Sequence, residues 1–525
     1  MIHDSNAHLQ LPEQQMDTSR LPLSLTLNDV LMWRATREGE KPAVIYERAP
    51  FASLVLTWRQ LYSYSVQMAL RLVTYNVTYG SRVALVLQDS PGCLAALFAI
   101  WSLGAIAVPI DERAAMGTAE TIISHSSPIC ITGGSKTGIE FSRSLAFIPF
   151  DELQEQYTDS PLTHAGDTSD VAMIAYTSGT TSSPKGVILR HRHLRNAYRI
   201  ARDSLFTSPP NRIGNVFRTA GLGVLGITYL FALECGAAVV VLTALNVEEA
   251  HCFWDMVRRN AVDFIYLVPT LVRLIVRMSE PVKDPRGILC ITGGAPISEH
   301  VHSIFQDRFG HPLRNVYGLT ETTCGILWGA YEPNGRGAWH LGRAPRQIRV
   351  RLRDREGRCE DAVAEGELEV SGPILSEGYW INPAETDRVF VGGWLHTGDV
   401  ATRDEHGNYS ITGRIKNIVI RGGVNIQLEE IDETFLSHPE VLSACTVGIA
   451  DLTGEERLAA LVQLREMAPT TAEDLAVWCR ARIGVFKTPG MIFLTREQLP
   501  RNSSGKVISA AVAKAVSDLI KREDV

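Results

Sequence analysis

Tyr176-Thr177-Ser178-Gly179-Thr180-Thr181-Ser182-Ser183-Pro184-Lys185-Gly186-Val187 is the stretch around which the rest of the sequence arranges itself. An apolar run from Val171 to Ala175 leads in and another from Val187 to Leu189 leads out, so it reads as a loop between two strands. Six Ser/Thr hydroxyls, two glycines and one lysine share this single turn. That inventory suits a polyphosphate: backbone N–H groups free to converge on oxygens, short hydroxyl donors and one point positive charge. It is not a Walker A loop, because GxxxxGK[ST] would need a glycine where Pro184 stands. The bland alternative is a Ser/Thr-rich surface turn; a lysine after proline, between two strands, weighs against it.

The surroundings are those of a multidomain protein of small-molecule chemistry. A chain of 525 residues exceeds what one core organises, so several domains are expected. Apolar content of 45%, 21% charged residues and a net charge of -7 give no electrostatic reason to expect nucleic acid or an anionic membrane surface. Nine scattered cysteines without a CxxC pair fit reduced thiols and a cytoplasmic location rather than a disulfide or zinc framework. Met1 to Arg20 is polar and lacks the apolar centre of a signal peptide. Cys93 to Ile110 and Leu222 to Leu245 look membrane-like but contain glycine or charge, and each reads as a buried helix, a glycine stop and a buried strand.

Taken in order, the spacing of Leu27, Val30, Leu31 and Ala35 predicts a helix to about Arg37, followed by strands near 43–46 and 54–58 and a helix to about Tyr75. Strand 83–87, helix 92–103 and strand 105–109 follow, with further strand signals at 129–132 and 147–150. This rhythm predicts a parallel α/β sheet. Beyond the opening loop come a helix over 191–202, an apolar helix ending near Leu230, a strand over 237–242, a helix over 249–259 and strands at 264–268 and 288–292. From Ile348 short alternating strands predict a smaller β-rich subdomain. After Arg414 a mixed α+β tail begins, and a domain boundary is expected near Lys416, giving an N-terminal unit of 1–415 and a C-terminal unit of 416–525.

Four further stretches carry chemistry. Asn315 to Thr322 puts Tyr317, Thr320 and Glu321 on a tight turn after a strand; the ring can stack on a purine and the acid can hold a divalent cation. A capped helix start is the alternative there. Trp394 to Asp399 ends in a carboxylate able to accept from two hydroxyls of a diol. Gly413 to Asn417 brings Arg414 onto a turn, and Leu499 to Val507 carries Lys506 on a Ser/Gly loop.

The ordered set YTSGTTSSPKGV, GGAP, YGLTE, WLHTGD, GRIKNIVIRGGVNI and PRNSSGK, from Leu56 to Lys506, resembles the adenylate-forming superfamily of acyl- and aryl-CoA synthetases, adenylation domains and luciferases. The resemblance implies a large N-terminal domain of two α/β subdomains plus a β-rich one, with a small mobile α+β C-terminal domain. It implies a two-step reaction, in which a carboxylate attacks the α-phosphate of MgATP to give acyl-AMP and pyrophosphate and a thiol then displaces AMP. Carried over by position, Thr177, Ser178, Gly179, Thr180, Thr181 and Lys185 would cradle the β- and γ-phosphates, with Thr177 beside the magnesium held by Glu321. Gly294, Ala295 and Pro296 would line the adenine slot, Tyr317 would stack on the base with Gly318 and Thr320 adjoining, and Asp399 and Arg414 would grip the ribose. Phe217, Arg218, Gly221, Gly293, Gly294 and Leu319 would surround the acid. Lys506 would reach the carboxylate and α-phosphate; Lys416 would be the hinge, and Arg421, Gly422 and Gly423 would line the thiol's path.

Two positions depart from the family pattern. Ser182 stands where glycine is usual, and Arg218 stands where acyl-CoA synthetases often carry histidine and amino-acid adenylation domains aspartate. An arginine there repels an α-ammonium, so the acid is expected to bear an extra acceptor, as a dicarboxylate monoanion or a hydroxylated aryl acid does; alternatively Arg218 turns to a structural acid or gates the thiol tunnel. The sequence stops soon after Lys506, so the thiol is expected from outside, as CoA or as the phosphopantetheine of a separate carrier protein, with the protein a monomer or homodimer. A catalytically idle ligand-binding relative is the reading of another class, and retention of Lys185, Glu321, Asp399, Arg414 and Lys506 argues against it.

Overall fold

The fold is that of a computed structural model, which describes residues 21–47, 54–114, 116–134, 145–150, 166–177, 184–217, 222–242, 245, 249–281, 287–295, 297, 299–329, 340–359, 364–415, 418–421, 424–450, 456–501 and 507–523. The strands Val171–Thr177 and Lys185–Arg190 form the antiparallel edge of an otherwise parallel six-stranded sheet. The inner strands Arg82–Leu87 and Ile106–Asp111 are buried almost throughout, because both sheet faces are covered, and this is why they read as unbroken apolar runs. Between them runs the helix Pro91–Ser102, whose N-terminus is capped by Ser90 Oγ accepting from the Cys93 N–H at 3.1 Å. Trp101 Nε1 of that helix donates to the Ala172 carbonyl at 2.7 Å, so the core itself fixes where the hairpin stands.

A second sheet of eight strands has six parallel inner strands and an antiparallel strand at each edge, in the order Gly325–Trp328, Leu313–Gly318, Leu289–Gly293, Phe264–Leu267, Arg212–Asn215, Ala238–Val241, Pro42–Tyr46 and Val55–Thr57. The helical stretch from Leu222 to Cys235 winds through a π turn over Leu225–Leu230 and stops at Gly236, whose φ of +71° only glycine adopts without strain. Both stretches that mimic membrane spans are therefore helix, glycine stop and buried strand, and no helix among the described residues is long and apolar enough to cross a membrane.

A β-rich unit follows, with Arg349–Arg353, Glu365–Ser371, Trp394–Arg403 and Phe390–Val391 in one sheet and Tyr409–Arg414 paired to Trp394–Arg403. Beyond residue 418 the chain builds its own cores around the hairpin Ile418–Arg421/Val424–Gln427 and the sheet Val441–Ala450, Glu456–Leu464 and Met491–Thr495. The helix Leu428–Leu436 buries Leu428, Ile431 and Phe435 on one face, as their spacing requires. A large N-terminal and a small C-terminal domain thus match the expected α/β architecture; the expected boundary residue Lys416 lies outside the described residues.

Two local expectations need correction. Tyr317 and Gly318 belong to the strand Leu313–Gly318 rather than to the turn, which is confined to Thr320–Thr322. Arg414 likewise ends the strand Tyr409–Arg414 instead of riding a turn. In both cases pairing with a strand distant in sequence extends the regular structure: Tyr317 faces Leu327 and Arg414 faces Asp399.

Candidate active site

The hairpin brings Thr177 and Lys185 opposite each other at the mouth of the quoted loop. Ser178, Gly179, Thr180, Thr181 and the irregular Ser182 lie outside the described residues. The Lys185 ammonium contacts the Glu385 carboxylate and sits 5.4 Å from the centroid of the Tyr379 ring. Glu385 stands in the first turn of the helix Pro383–Val389, where Asn382 Oδ1 accepts from its N–H at 3.2 Å. Arg388 clasps both Glu385 oxygens at 2.7 Å, and with Lys185 it holds the carboxyl down at about 2 against the opposing effect of burial. A cavity of about 610 Å³ opens beside Lys185, lined by Ser124, His125, Trp380 and Asn382 among others.

Tyr317, Asp399 and Arg414 form a compact polar cluster. The Tyr317 hydroxyl donates to Asp399 Oδ2 at 2.5 Å, and Arg414 Nε lies 2.6 Å from Asp399 Oδ1. Asp399 is buried and occupied on both oxygens, while Arg414 is about one-third exposed. Burial, and then the neighbouring Asp399 charge, push the Tyr317 phenol well above its ordinary value, so it stays a donor. The Asp399 backbone is held too, its N–H donating to Thr397 Oγ1 at 3.1 Å.

Glu321 stands in the turn Thr320–Thr322, half-buried, with Oε1 accepting from the Tyr379 hydroxyl at 2.7 Å. Thr322 stabilises this turn by accepting from the Leu319 N–H at 2.9 Å. Gly318 admits no side chain: a Cβ there would meet the Cys324 carbonyl oxygen at 2.3 Å, so the neighbouring strand passes against bare backbone. Gly293 ends the adjacent strand, Gly294 and Ala295 follow it, and Tyr266 donates its hydroxyl to the Gly293 carbonyl at 3.2 Å. The Phe217 ring lies 5.5 Å from that of Tyr266, so Phe217 and Gly293 do share one wall. Leu319 packs against the main core nearby. Arg218, Gly221 and Pro296 lie outside the described residues, as do Lys416, Gly422, Gly423 and Lys506; Arg421 ends the strand Ile418–Arg421.

One group of three has metal-ligand spacing among the described residues, Glu367, Glu369 and His396. Glu369 is already neutralised by Arg351 at 2.6 Å and by Arg353, so guanidinium groups occupy the place of a cation. Glu321 is the carboxylate better suited to a divalent ion, since its partner is a neutral phenol.

Sequence reasoning missed Tyr266, Tyr379, Glu385 and Arg388. The last two had a legible signal: Asn382-Pro383 followed by an acid marks a capped helix start, which would have placed Glu385 and Arg388 one turn apart.

Comparison with known proteins comes down on one family. The model for AMP-binding enzymes matches residues 31–380, and that for the AMP-binding enzyme C-terminal domain matches 430–506. The chain is 28% identical over 503 residues to crotonobetaine/carnitine–CoA ligase of Escherichia fergusonii, covering 90% of this chain and 96% of that one. It is 33% identical over 340 residues to sulfoacetate–CoA ligase of Cupriavidus necator, covering 64% and 65%. Among solved structures, o-succinylbenzoate CoA synthetase from Bacillus subtilis in complex with its acyl-adenylate intermediate superposes with a TM-score of 0.82 at 24% identity, over 91% of this chain and 96% of that one.

Proposed function

The chain belongs to the AMP-binding enzyme family, and from that premise we propose that it is an acid–thiol ligase that joins a carboxylic acid to CoA by way of an acyl-adenylate. In the first half-reaction a carboxylate oxygen bonds to the α-phosphorus of MgATP and pyrophosphate leaves. In the second the thiol sulfur bonds to the acyl carbon, AMP leaves, and the thiol proton is released. The cluster Tyr317–Asp399–Arg414 carries this reading, because it brings together an aromatic ring, a carboxylate whose oxygens each keep a further lone pair, and a cation, a combination suited to a nucleoside.

On this reading Thr177 to Thr181 with Lys185 hold the β- and γ-phosphates, and Glu321 holds the magnesium of MgATP. Gly294, Ala295 and Pro296 flank the adenine, with Gly318 and Thr320 adjoining Tyr317. Lys506 sits between carboxylate and α-phosphate, where a cation stabilises charge developing as two anions approach. The small domain then turns about Lys416, Lys506 withdraws, and Arg421, Gly422 and Gly423 line the thiol's path.

The acid pocket is assigned to Phe217, Arg218, Gly221, Gly293, Gly294 and Leu319. Arg218 favours an acid with an additional anionic or polar group. Carboxylate-dependent pyrophosphate exchange over a panel of alkyl, hydroxylated aryl and dicarboxylic acids tests this. A preference for plain alkyl acids that survives in Arg218→Ala rejects it. Loading assays with CoA and with a holo carrier protein then identify the thiol, and a lack of exchange with every acid would favour an idle relative.

A further inference from the structure

The segment from Ser376 to Trp380 lies between Lys185 and Glu321 and touches the backbone of both neighbourhoods. On one side it adds to the strand Lys185–Arg190: the Trp380 N–H donates to the Gly186 carbonyl at 2.7 Å, the Ile188 N–H donates to the Gly378 carbonyl at 3.1 Å, and Val187 bridges Tyr379. On the other side the Ser376 N–H donates to the Glu321 carbonyl at 2.8 Å. Ser376 Oγ ties the two sides together by donating to the Ile188 carbonyl at 2.8 Å.

Tyr379 is the side chain that reaches both charged groups. It is buried, its hydroxyl donates to Glu321 Oε1 at 2.7 Å, and its ring lies 5.4 Å from the Lys185 ammonium, within cation–π range. Its own N–H is satisfied by Thr386 Oγ1 at 2.9 Å, and Lys185 also pairs with Glu385, which Arg388 clasps in turn. A neutral donor on a metal-binding carboxylate fixes its orientation without competing for its charge.

We infer that Tyr379 is a positioning residue for the first half-reaction: its hydroxyl aims the Glu321 carboxylate at the metal of MgATP while its ring seats the Lys185 ammonium, so that both meet one triphosphate in a fixed relation. This rests on the reading of Glu321 as the metal carboxylate and Lys185 as a phosphate ligand.

The test needs no knowledge of the acid. ATP binding to the full-length protein is measured by calorimetry, with and without magnesium and across a magnesium series, for wild type, Tyr379→Phe, Glu321→Gln and the double variant. Tyr379→Phe keeps the ring and deletes one oxygen. It is expected to raise the magnesium concentration for half-saturation about tenfold, as loss of an outer-shell partner does, while metal-free ATP binding stays as in wild type. In the Glu321→Gln background it should have no further effect on magnesium dependence. An unchanged magnesium requirement in Tyr379→Phe, or an equal loss with and without metal, overturns the inference. If Tyr379→Phe is less stable, the metal-free and metal-loaded titrations of the same sample separate lost positioning from lost folding. If Glu321→Gln itself leaves magnesium dependence intact, the assignment of Glu321 fails instead.

Discussion

Asp399 and Arg414 face each other in register across antiparallel strands, with the guanidinium Nε 2.6 Å from the carboxylate Oδ1. The pair is built from rigid sheet rather than from loops, so the carboxylate is held in place before any nucleotide arrives. Tyr317 fixes its second oxygen. As a ribose clamp this arrangement predicts a preference for ATP over 2′-deoxyATP or 3′-deoxyATP of about ten- to a hundredfold, the value of a hydrogen bond to a charged group. Asp399→Asn should lower affinity for ATP and shrink that preference toward unity. Competitive binding of the three nucleotides checks it, and a preference undiminished in the variant would remove Asp399 from the ribose site.

Ile381 occupies the left-handed region at φ +49° with 71% of its surface exposed, beside Trp380 and Asn382. A β-branched residue there meets its own backbone and recovers nothing from burial. Ile381→Asn or Ile381→Gly is expected to raise unfolding free energy by about 1 kcal/mol. Urea unfolding would report it as a higher midpoint at constant slope.

What could be read beforehand follows from how local each signal is. The strands Arg82–Leu87 and Val171–Thr177 and the helix Pro91–Ser102 are announced by contiguous residues, so their existence was legible within a few positions. Thr177, Lys185, Tyr317, Glu321, Asp399 and Arg414 could be picked out because each lies in a motif of local sequence. The brace between them was not legible. Tyr379 reaches Glu321 across 58 residues and Lys185 reaches Glu385 across 200, and no periodicity encodes such pairings. The π turn over Leu225–Leu230 escaped for a related reason, since an apolar glycine-containing run looks alike with either winding. The strand assignment of Arg414 depended on a partner, Asp399, whose register the sequence does not reveal.

His193 predicts an acid-side loss of stability. It is buried, and its Nδ1 accepts from the Arg190 N–H at 3.2 Å, so the neutral ring caps its helix. Burial first, reinforced by the charges of Arg192 and Arg190 and opposed by that of Glu377, pushes its pKa down to about 4 from 6.5. The unfolded chain therefore binds the proton first, and stability is fully present above about pH 6.5 and falls as pH drops toward 4. The contribution is on the order of 3 kcal/mol by linkage. His193→Gln keeps an acceptor at the capping position and cannot titrate, so its stability should decline less between pH 7 and pH 5. Equal pH slopes for variant and wild type would assign the acid sensitivity to other groups.

Lys185 and Lys506 are expected to divide the reaction differently, and this separates a phosphate ligand from a mobile catalytic lysine. Lys185 is anchored in the hairpin opposite Thr177 and gripped by Glu385, so it belongs to the large domain in every state. Lys506 lies in the C-terminal segment that would turn about Lys416. On the proposed reading each lysine supplies a preorganised cation to the adenylation transition state, and loss of such a contact lowers rate by about a hundred- to a thousandfold. Lys185→Ala and Lys506→Ala should therefore both depress pyrophosphate exchange with the acid found in the panel. Lys185→Ala should also weaken MgATP binding measured without acid, whereas Lys506→Ala should bind MgATP nearly as wild type does, since its contacts form at the reacting carboxylate and α-phosphate. Supplied with preformed acyl-AMP and CoA, both variants should still make thioester, because on that reading neither lysine takes part in the second half-reaction. A Lys506→Ala protein that loses both half-reactions equally would mean that the small domain does not alternate and that one arrangement of the site serves both steps.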